Sequence, residues 1–382
     1  MSNSLDRFAA DKLAALDSAS LRRHLQPTSH DGGAVITRGG RRLISFCCND
    51  YLNFTTDPAI IEASIAATSR YGVGAGASRL VTGDHPLLGD LERRLARLKG
   101  TEDAVVFGSG FLANTGIIPA LAGPKDAVFV DDLAHACIWA GARLSRAPVH
   151  VFRHNDPGHL ADLLAAERGA ARHALIVTDG VFSMDGDLAP IADLAALAEA
   201  NDAWLMTDDA HGIGVLNAGR GSAHGEAVPL QMGTLSKAIG AYGGYLCASR
   251  TVCELIRNRA RSFVYTTGLP PGTAAAAIAA LDRIETDPAY CAQPLRKARR
   301  FTDSLDLPPA ESPIVPLLLG AADAALAAQA RLEREGFLVA AIRPPTVPDG
   351  TARLRFTFTA LHDDADIDRL ANLVRTEILH PK

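Results

Sequence analysis

The sequence predicts an α/β fold: a large, mostly parallel sheet domain covered by helices, with room for one antiparallel strand, and a smaller C-terminal α/β domain. Two patterns and one break carry this prediction. From about residue 100, short apolar runs alternate with stretches of helical periodicity. The runs are apolar throughout rather than at every second residue, as strands buried on both faces require, and the helices between them serve as crossovers of a parallel sheet. The alternation stops at Leu269-Pro270-Pro271, a cluster that breaks regular structure.

Taken along the chain, residues 1–48 form an N-terminal segment associated with the small domain, with a helix at 11–25 and a strand at 42–46. Residues 49–271 form the large domain. It opens with a helix at 59–71, and strands follow at 104–107, 127–130, 149–152, 174–178, 203–207 and 245–248. Helices lie between several of them, at 111–121, 134–144, 191–200 and 252–263. Residues 272–382 form the small domain. An Ala-rich helix at 273–286, favoured by alanine's helix propensity, leads into a mixed region that includes 312–319, a helix at 322–335 and a strand at 352–359. In that last strand Leu354, Phe356 and Phe358 alternate with polar residues, as in a half-exposed strand.

Composition narrows the function. The chain has 382 residues, 48% apolar and 21% charged, which suits a globular protein with a sizeable core. A net charge of −5 gives no basic footprint for nucleic acid. No run reaches the ~18 apolar residues of a membrane span, and residues 1–11 are charged without an apolar leader. The six cysteines form no C-x-x-C pair and no zinc spacing, so reduced, buried thiols in a cytoplasmic protein are expected. A secreted scaffold, a membrane protein, a disordered chain and a fibre are all excluded.

Ligands of open α/β sheets bind beyond the carboxyl ends of the strands. The run at 104–107 is followed by Gly108-Ser109-Gly110-Phe111 and a helix, either a plain tight turn or a phosphate cradle of free N–H groups. The run at 174–178 leads to Asp179-Gly180-Val181-Phe182-Ser183-Met184-Asp185-Gly186. The run at 203–207 leads to Asp208-Asp209-Ala210-His211-Gly212. Metal binding would need further ligands at recognisable spacing; there are none, so no metal is expected. Gly233-Thr234-Leu235-Ser236-Lys237 holds a lysine among small residues. It is either a surface lysine or a partly desolvated amine able to form an imine. His135, after the run at 127–130, is either a structural helix-start histidine or a flat ring that stacks on a cofactor. Gly72-Val73-Gly74-Ala75-Gly76 follows a helix rather than a strand and is rejected as a dinucleotide fingerprint. Together these sites supply a lysine for an aldehyde, a carboxylate for a ring nitrogen and donors for a phosphate, the set that pyridoxal phosphate requires.

From Asn49-Asp50-Tyr51-Leu52 nearly to its end the sequence resembles the α-oxoamine synthases, pyridoxal 5'-phosphate enzymes of the aspartate-aminotransferase fold (type I). The landmarks are Ser109-Gly110-Phe111, residues 178–186, residues 208–212 and Thr234-Leu235-Ser236-Lys237. The resemblance implies roles. Lys237 would be the Schiff-base lysine and acid/base, Asp208 the partner of the pyridine nitrogen, His211 the partner of the ring hydroxyl, and His135 the stacking ring, in contact with substrate as well. Ser109, Gly110, Phe111, Ser183 and Thr234 would line the cofactor and its phosphate. Thr266 and Thr267 would reach the phosphate of the neighbouring subunit of a homodimer. Arg355 would bind the amino-acid carboxylate with help from Asn49, and Thr346 and Arg22 would contact substrate.

Within the family, Ala341-Ile342-Arg343-Pro344-Pro345-Thr346-Val347-Pro348 and Gly350-Thr351-Ala352-Arg353-Leu354-Arg355 are similar to the branch that joins L-alanine to a pimeloyl thioester. The carrier would be coenzyme A or an acyl carrier protein. Competing readings are glycine with acetyl- or succinyl-coenzyme A, serine with a long acyl chain, and a non-catalytic scaffold of the same fold. Neither nucleic acid nor membrane is an expected partner.

Overall fold

The computed structural model describes residues 3–18 and 21–380. Two units divide the chain: Met1–Cys47 with Pro316–Phe356 and Arg369–Lys382, and Cys48–Val315 with Thr357–Asp368. Residues 272–315, which the sequence pattern groups with the C-terminal domain, fall in the second, larger unit.

The smaller unit starts with α1 (Ser4–Ser18), whose first turn is capped by Asn3 Oδ1 accepting from Asp6 N at 2.9 Å. The helix expected at 11–25 thus begins earlier and stops sooner. Residues 19 and 20 of that expectation lie outside the described residues, and 21–27 run without regular structure. Antiparallel strands β1 (Thr28–Gly32), β2 (Val35–Arg38) and β3 (Arg41–Ser45) follow.

In the larger unit α2 (Pro58–Tyr71) and α3 (Pro86–Lys99) precede β4 (Asp103–Phe107), α4 (Gly110–Leu121), β5 (Ala127–Asp131), α5 (Ala136–Ser145), β6 (Val149–Phe152), α6 (Pro157–Glu167), β7 (Ala174–Asp179), α7 (Ile191–Ala200) and β8 (Trp204–Asp208). Then come β9 (Leu230–Thr234), β10 (Gly244–Ala248), α8 (Arg250–Arg259), α9 (Arg261–Val264) and α10 (Pro271–Thr286). The seven strands form one sheet in the order β4-β10-β9-β8-β7-β5-β6. It is parallel except for β10, which runs antiparallel to both β4 and β9. Side chains alternate between two cores. Val105 and Phe107 face α4, α5 and α8, whereas Ala104 and Val106 face the core that includes α3 and α10. Each fully buried Ile, Val or Phe in these layers contributes about 1.5–3 kcal/mol.

Strand β9 escaped the sequence pattern because Gln231 and Gly233 interrupt its apolar run, yet all five residues are buried. Gly233 is required there: a β-carbon would lie 2.3 Å from the Tyr245 hydroxyl of neighbouring β10. The helix expected over 252–263 is two helices, broken at Ala260, whose φ −70° and ψ 107° are extended. The break lets α9 meet α4, where Ser262 Oγ donates to the Leu112 carbonyl at 2.6 Å.

Returning to the smaller unit, β11 (Ile314–Gly320), β12 (Phe337–Leu338), β13 (Ala340–Ile342) and β14 (Ala352–Thr357) complete two sheets, β1-β2-β3-β12 and β11-β14-β13. Ile36, Leu43 and Leu338 form a small core of this unit. No helix among the described residues is long and apolar enough to cross a membrane.

Candidate active site

Strands β5, β7 and β8 end in Asp131, Asp179 and Asp208, and β9 ends in Thr234. Because these strands are parallel neighbours, the four carboxyl ends meet at one edge of the sheet, where the groups singled out in the sequence gather.

Lys237 stands three residues beyond β9 and is half-buried. Its Nζ lies 2.6 Å from His211 Nε2. His211 Nδ1 lies 2.6 Å from the Tyr51 hydroxyl, which donates to Asn49 Oδ1 at 3.5 Å. Lys237, His211 and Tyr51 thus form one hydrogen-bonded relay, whose proton order is set by the His211 tautomer.

Asp208 is 4% exposed. Its Oδ2 accepts from Asn114 Nδ2 at 2.7 Å and its Oδ1 from Ala210 N at 3.0 Å. Asp179 is its register partner on β7 and accepts from His135 N at 2.8 Å. Burial, and then the neighbouring Asp208, push the Asp179 carboxyl well above the usual range. His135 caps α5, its Nδ1 accepting from Cys137 N at 3.3 Å. Burial lowers its basicity and Lys237 adds to that, against the opposing pull of Asp208. The imidazole therefore presents a neutral, flat ring. Cys137 Sγ lies 2.8 Å from His135 Nδ1, and burial with Asp208 pushes its thiol up to about 12.

The cradle is the start of α4. Ser109 is its N-cap, with Oγ accepting from Leu112 N at 3.1 Å, and Gly110 and Phe111 open the first turn, whose N–H groups lack intrahelical acceptors. Gly244 lets the helix start approach β10, since a β-carbon there would lie 2.5 Å from the Ser109 carbonyl. Thr234 Oγ1 donates to the Gly243 carbonyl and lies 2.7 Å from Ser236 Oγ. Ser183 is half-buried on the turn after β7, and Thr266 lines a small cleft with Gly108. Thr267 is exposed and bridges to Ser78.

The remaining sequence candidates belong to the smaller unit. Arg22 pairs with Asp17 at 2.6 Å. Thr346 Oγ1 accepts from Arg23 at 3.0 Å. Arg355 sits in β14 and is 5% exposed. Tyr51, Asn114, Cys137 and Asp179 were not among the candidates. Asn114, next to Thr115 in α4, carries no distinguishing sequence signal although it is fully buried.

A primary amine, a buried carboxylate, a flat neutral imidazole and a helix-start cradle at one sheet edge fit a cofactor that has an aldehyde, a ring nitrogen and a phosphate. This fold and site define an enzyme that works through a lysine-held carbonyl cofactor. The class I and II aminotransferase family matches residues 41–374, and the chain belongs to that family. It is similar to the 8-amino-7-oxononanoate synthase of Granulibacter bethesdensis, with 65% identity over 371 residues covering 97% of each chain. It is also similar to that of Methylobacterium nodulans, with 60% identity over 368 residues covering 96% of each. Among solved structures it resembles Sphingomonas wittichii serine palmitoyltransferase, with TM-score 0.90, 29% identity and 97% of each chain covered. The 8-amino-7-oxononanoate synthase of Francisella tularensis superposes with TM-score 0.75 at 27% identity, over 88% of this chain and 98% of that one.

Proposed function

We propose that the chain condenses L-alanine with a pimeloyl thioester, releasing carbon dioxide and free thiol, to give 8-amino-7-oxononanoate for biotin biosynthesis. The acyl carrier is coenzyme A or an acyl carrier protein. The observation that carries the chemistry is the Lys237–His211–Tyr51 relay set beside a buried Asp208. The sequence identity to synthases of this name, 60–65%, carries the substrate pair. The fold likeness to serine palmitoyltransferase keeps serine with a long acyl chain as the second reading, but at only 27–29% identity.

Pyridoxal 5'-phosphate is the cofactor; bound at Lys237, it supplies an electron sink for the pair left when the amino acid loses its α-proton. The side chains do the rest. Lys237 takes that proton and later returns one, with His211 holding its Nζ in place. Asp208 keeps the ring nitrogen protonated, and His135 packs its neutral ring against the cofactor face. Ser109, Gly110, Phe111, Ser183 and Thr234 hold the phosphate end. Arg355 offers a bidentate fork to the alanine carboxylate, with Asn49, while Thr346 and Arg22 contact substrate.

The working form is a cytoplasmic homodimer in which Thr266 and Thr267 serve the partner's phosphate. Within the chain, residues 77–78 are tied to 264–268 by the Gly268 N to Ala77 O and Ser78 Oγ to Val264 O bonds. Around that tie Leu80, Val81 and Tyr265 are exposed apolar side chains that a second copy would cover.

The test is product identification by mass spectrometry with alanine and pimeloyl thioesters, against glycine/acetyl, glycine/succinyl and serine/palmitoyl pairs. The alanine/pimeloyl product should dominate; preference for any other pair overturns the assignment.

A further inference from the structure

Two side chains without an assigned role stand between the candidate catalytic groups. Asn114 lies in α4, one turn after Gly110, and is wholly buried. Its Nδ2 is 2.7 Å from Asp208 Oδ2 and 3.0 Å from Cys137 Sγ. Cys137 Sγ is in turn 2.8 Å from His135 Nδ1. The amide orientation follows from its surroundings: turned over, its oxygen would face a carboxylate. As placed, Oδ1 is buried with no hydrogen-bond partner. An unpaired buried carbonyl is costly, so the arrangement is retained for what Nδ2 does.

His135 Nδ1 accepts from the Cys137 backbone N–H at 3.3 Å, and the Cys137 thiol reaches both His135 Nδ1 and Asp208 Oδ2, the latter at 4.0 Å. One amide thereby reaches Asp208 directly and His135 through one thiol.

We propose that Asn114 is the positioning residue for Asp208, fixing the orientation of its carboxylate, and that Cys137 extends this hold to His135. This rests on the reading of Asp208 as the ring-nitrogen partner. Asp208 is buried with Asp179 as its register partner. A carboxylate so placed keeps one orientation only if donors reach both oxygens; Ala210 N serves one and Asn114 the other. Helix α4 then serves both ends of the cofactor, with its first turn at the phosphate and its second turn behind the ring.

The test is a double-mutant cycle on the full-length protein with Asn114→Leu and Asp208→Ala, reading pyridoxal phosphate affinity by absorbance titration. Asn114→Leu should weaken binding roughly tenfold or more, and should add nothing in the Asp208→Ala background. Equal losses in both backgrounds, or no loss from Asn114→Leu alone, overturn the proposal. Should Asn114→Leu fail to fold, asparagine-selective 15N spectra of wild type and Asp208→Ala decide instead. A downfield, slowly exchanging side-chain amide present only in wild type supports the hold, and identical spectra refute it. Unchanged affinity in Asp208→Ala would sink the ring-nitrogen reading itself, and the 15N spectra would then still decide whether Asn114 holds Asp208.

Discussion

His154 follows β6 and joins two of the loops that carry candidate site residues. Its Nδ1 lies 3.0 Å from Asp131 Oδ1, at the start of the loop to His135, and its Nε2 lies 2.8 Å from Asp187 Oδ2, beyond Ser183. Its ring meets Phe182 edge-on at 4.3 Å. Burial alone would lower its basicity, but the bonds and charges of Asp131 and Asp187 outweigh that and raise its pKa from 6.5 to about 10. At about 1.4 kcal/mol for each tenfold rise in proton affinity, the ceiling is about 5 kcal/mol. The imidazole is 24% exposed and Asp187 32%, so solvent screening reduces this to about 2 kcal/mol. The sign follows from linkage. A folded-state pKa above the unfolded one gives stability that is fully present below about pH 6.5 and lost as pH rises through about 10. Unfolding free energies of wild type and His154→Gln from urea titrations should therefore differ by about 2 kcal/mol near pH 6.5, with the gap closing as pH rises and gone by about pH 10. A gap that stays constant with pH, or an NMR titration of His154 near 6.5, would refute the reasoning.

Lys237→Ala should abolish turnover and the absorbance of the lysine-bound cofactor while leaving non-covalent binding; retained multiple turnover would exclude its role. Arg355→Ala should chiefly raise the alanine KM, and an effect confined to the acyl thioester would contradict the assignment. Lys99 and Asp209 form an ion pair at 2.7 Å with both side chains fully buried. Lys99→Met should cost about 3–5 kcal/mol in urea unfolding, because it strands a buried carboxylate, and adding Asp209→Leu should recover part of the loss. A single mutant as stable as wild type would show that Ser222, which donates to Asp209 through both N and Oγ, suffices.

Six strands of the large sheet were legible as short apolar runs; five are buried on both faces, and the edge strand β6 was legible despite His150 and an exposed Val151. Strand β9 was not legible: it buries a glutamine, and it carries a glycine whose missing side chain matters only to Tyr245 on the next strand. That kind of constraint is tertiary and leaves no periodic trace. The same distinction runs through the site. Lys237, Asp208 and His211 could be found because each follows a strand end or sits in a distinctive small-residue motif. Tyr51 and Asn114 could not, since their partners lie 160 and 94 residues away. The break at Ala260 was hidden as well, because alanine is a good helix former and the extended turn there answers to the packing of α9 on α4.

The two carboxylates at the ends of β7 and β8 show how adjacent acids come to do different work. Side by side in a dry corner, they cannot both stay charged at low cost. The structure separates them by their donors. Asp208 receives two N–H groups, one on each oxygen. Asp179 receives one, from the His135 backbone, and is pushed upward by burial and by Asp208. Its Oδ2 accepts from His135 N, which anchors the loop that carries His135. Environments that push two neighbouring acids apart are how one site assigns one of them to charge and the other to structure.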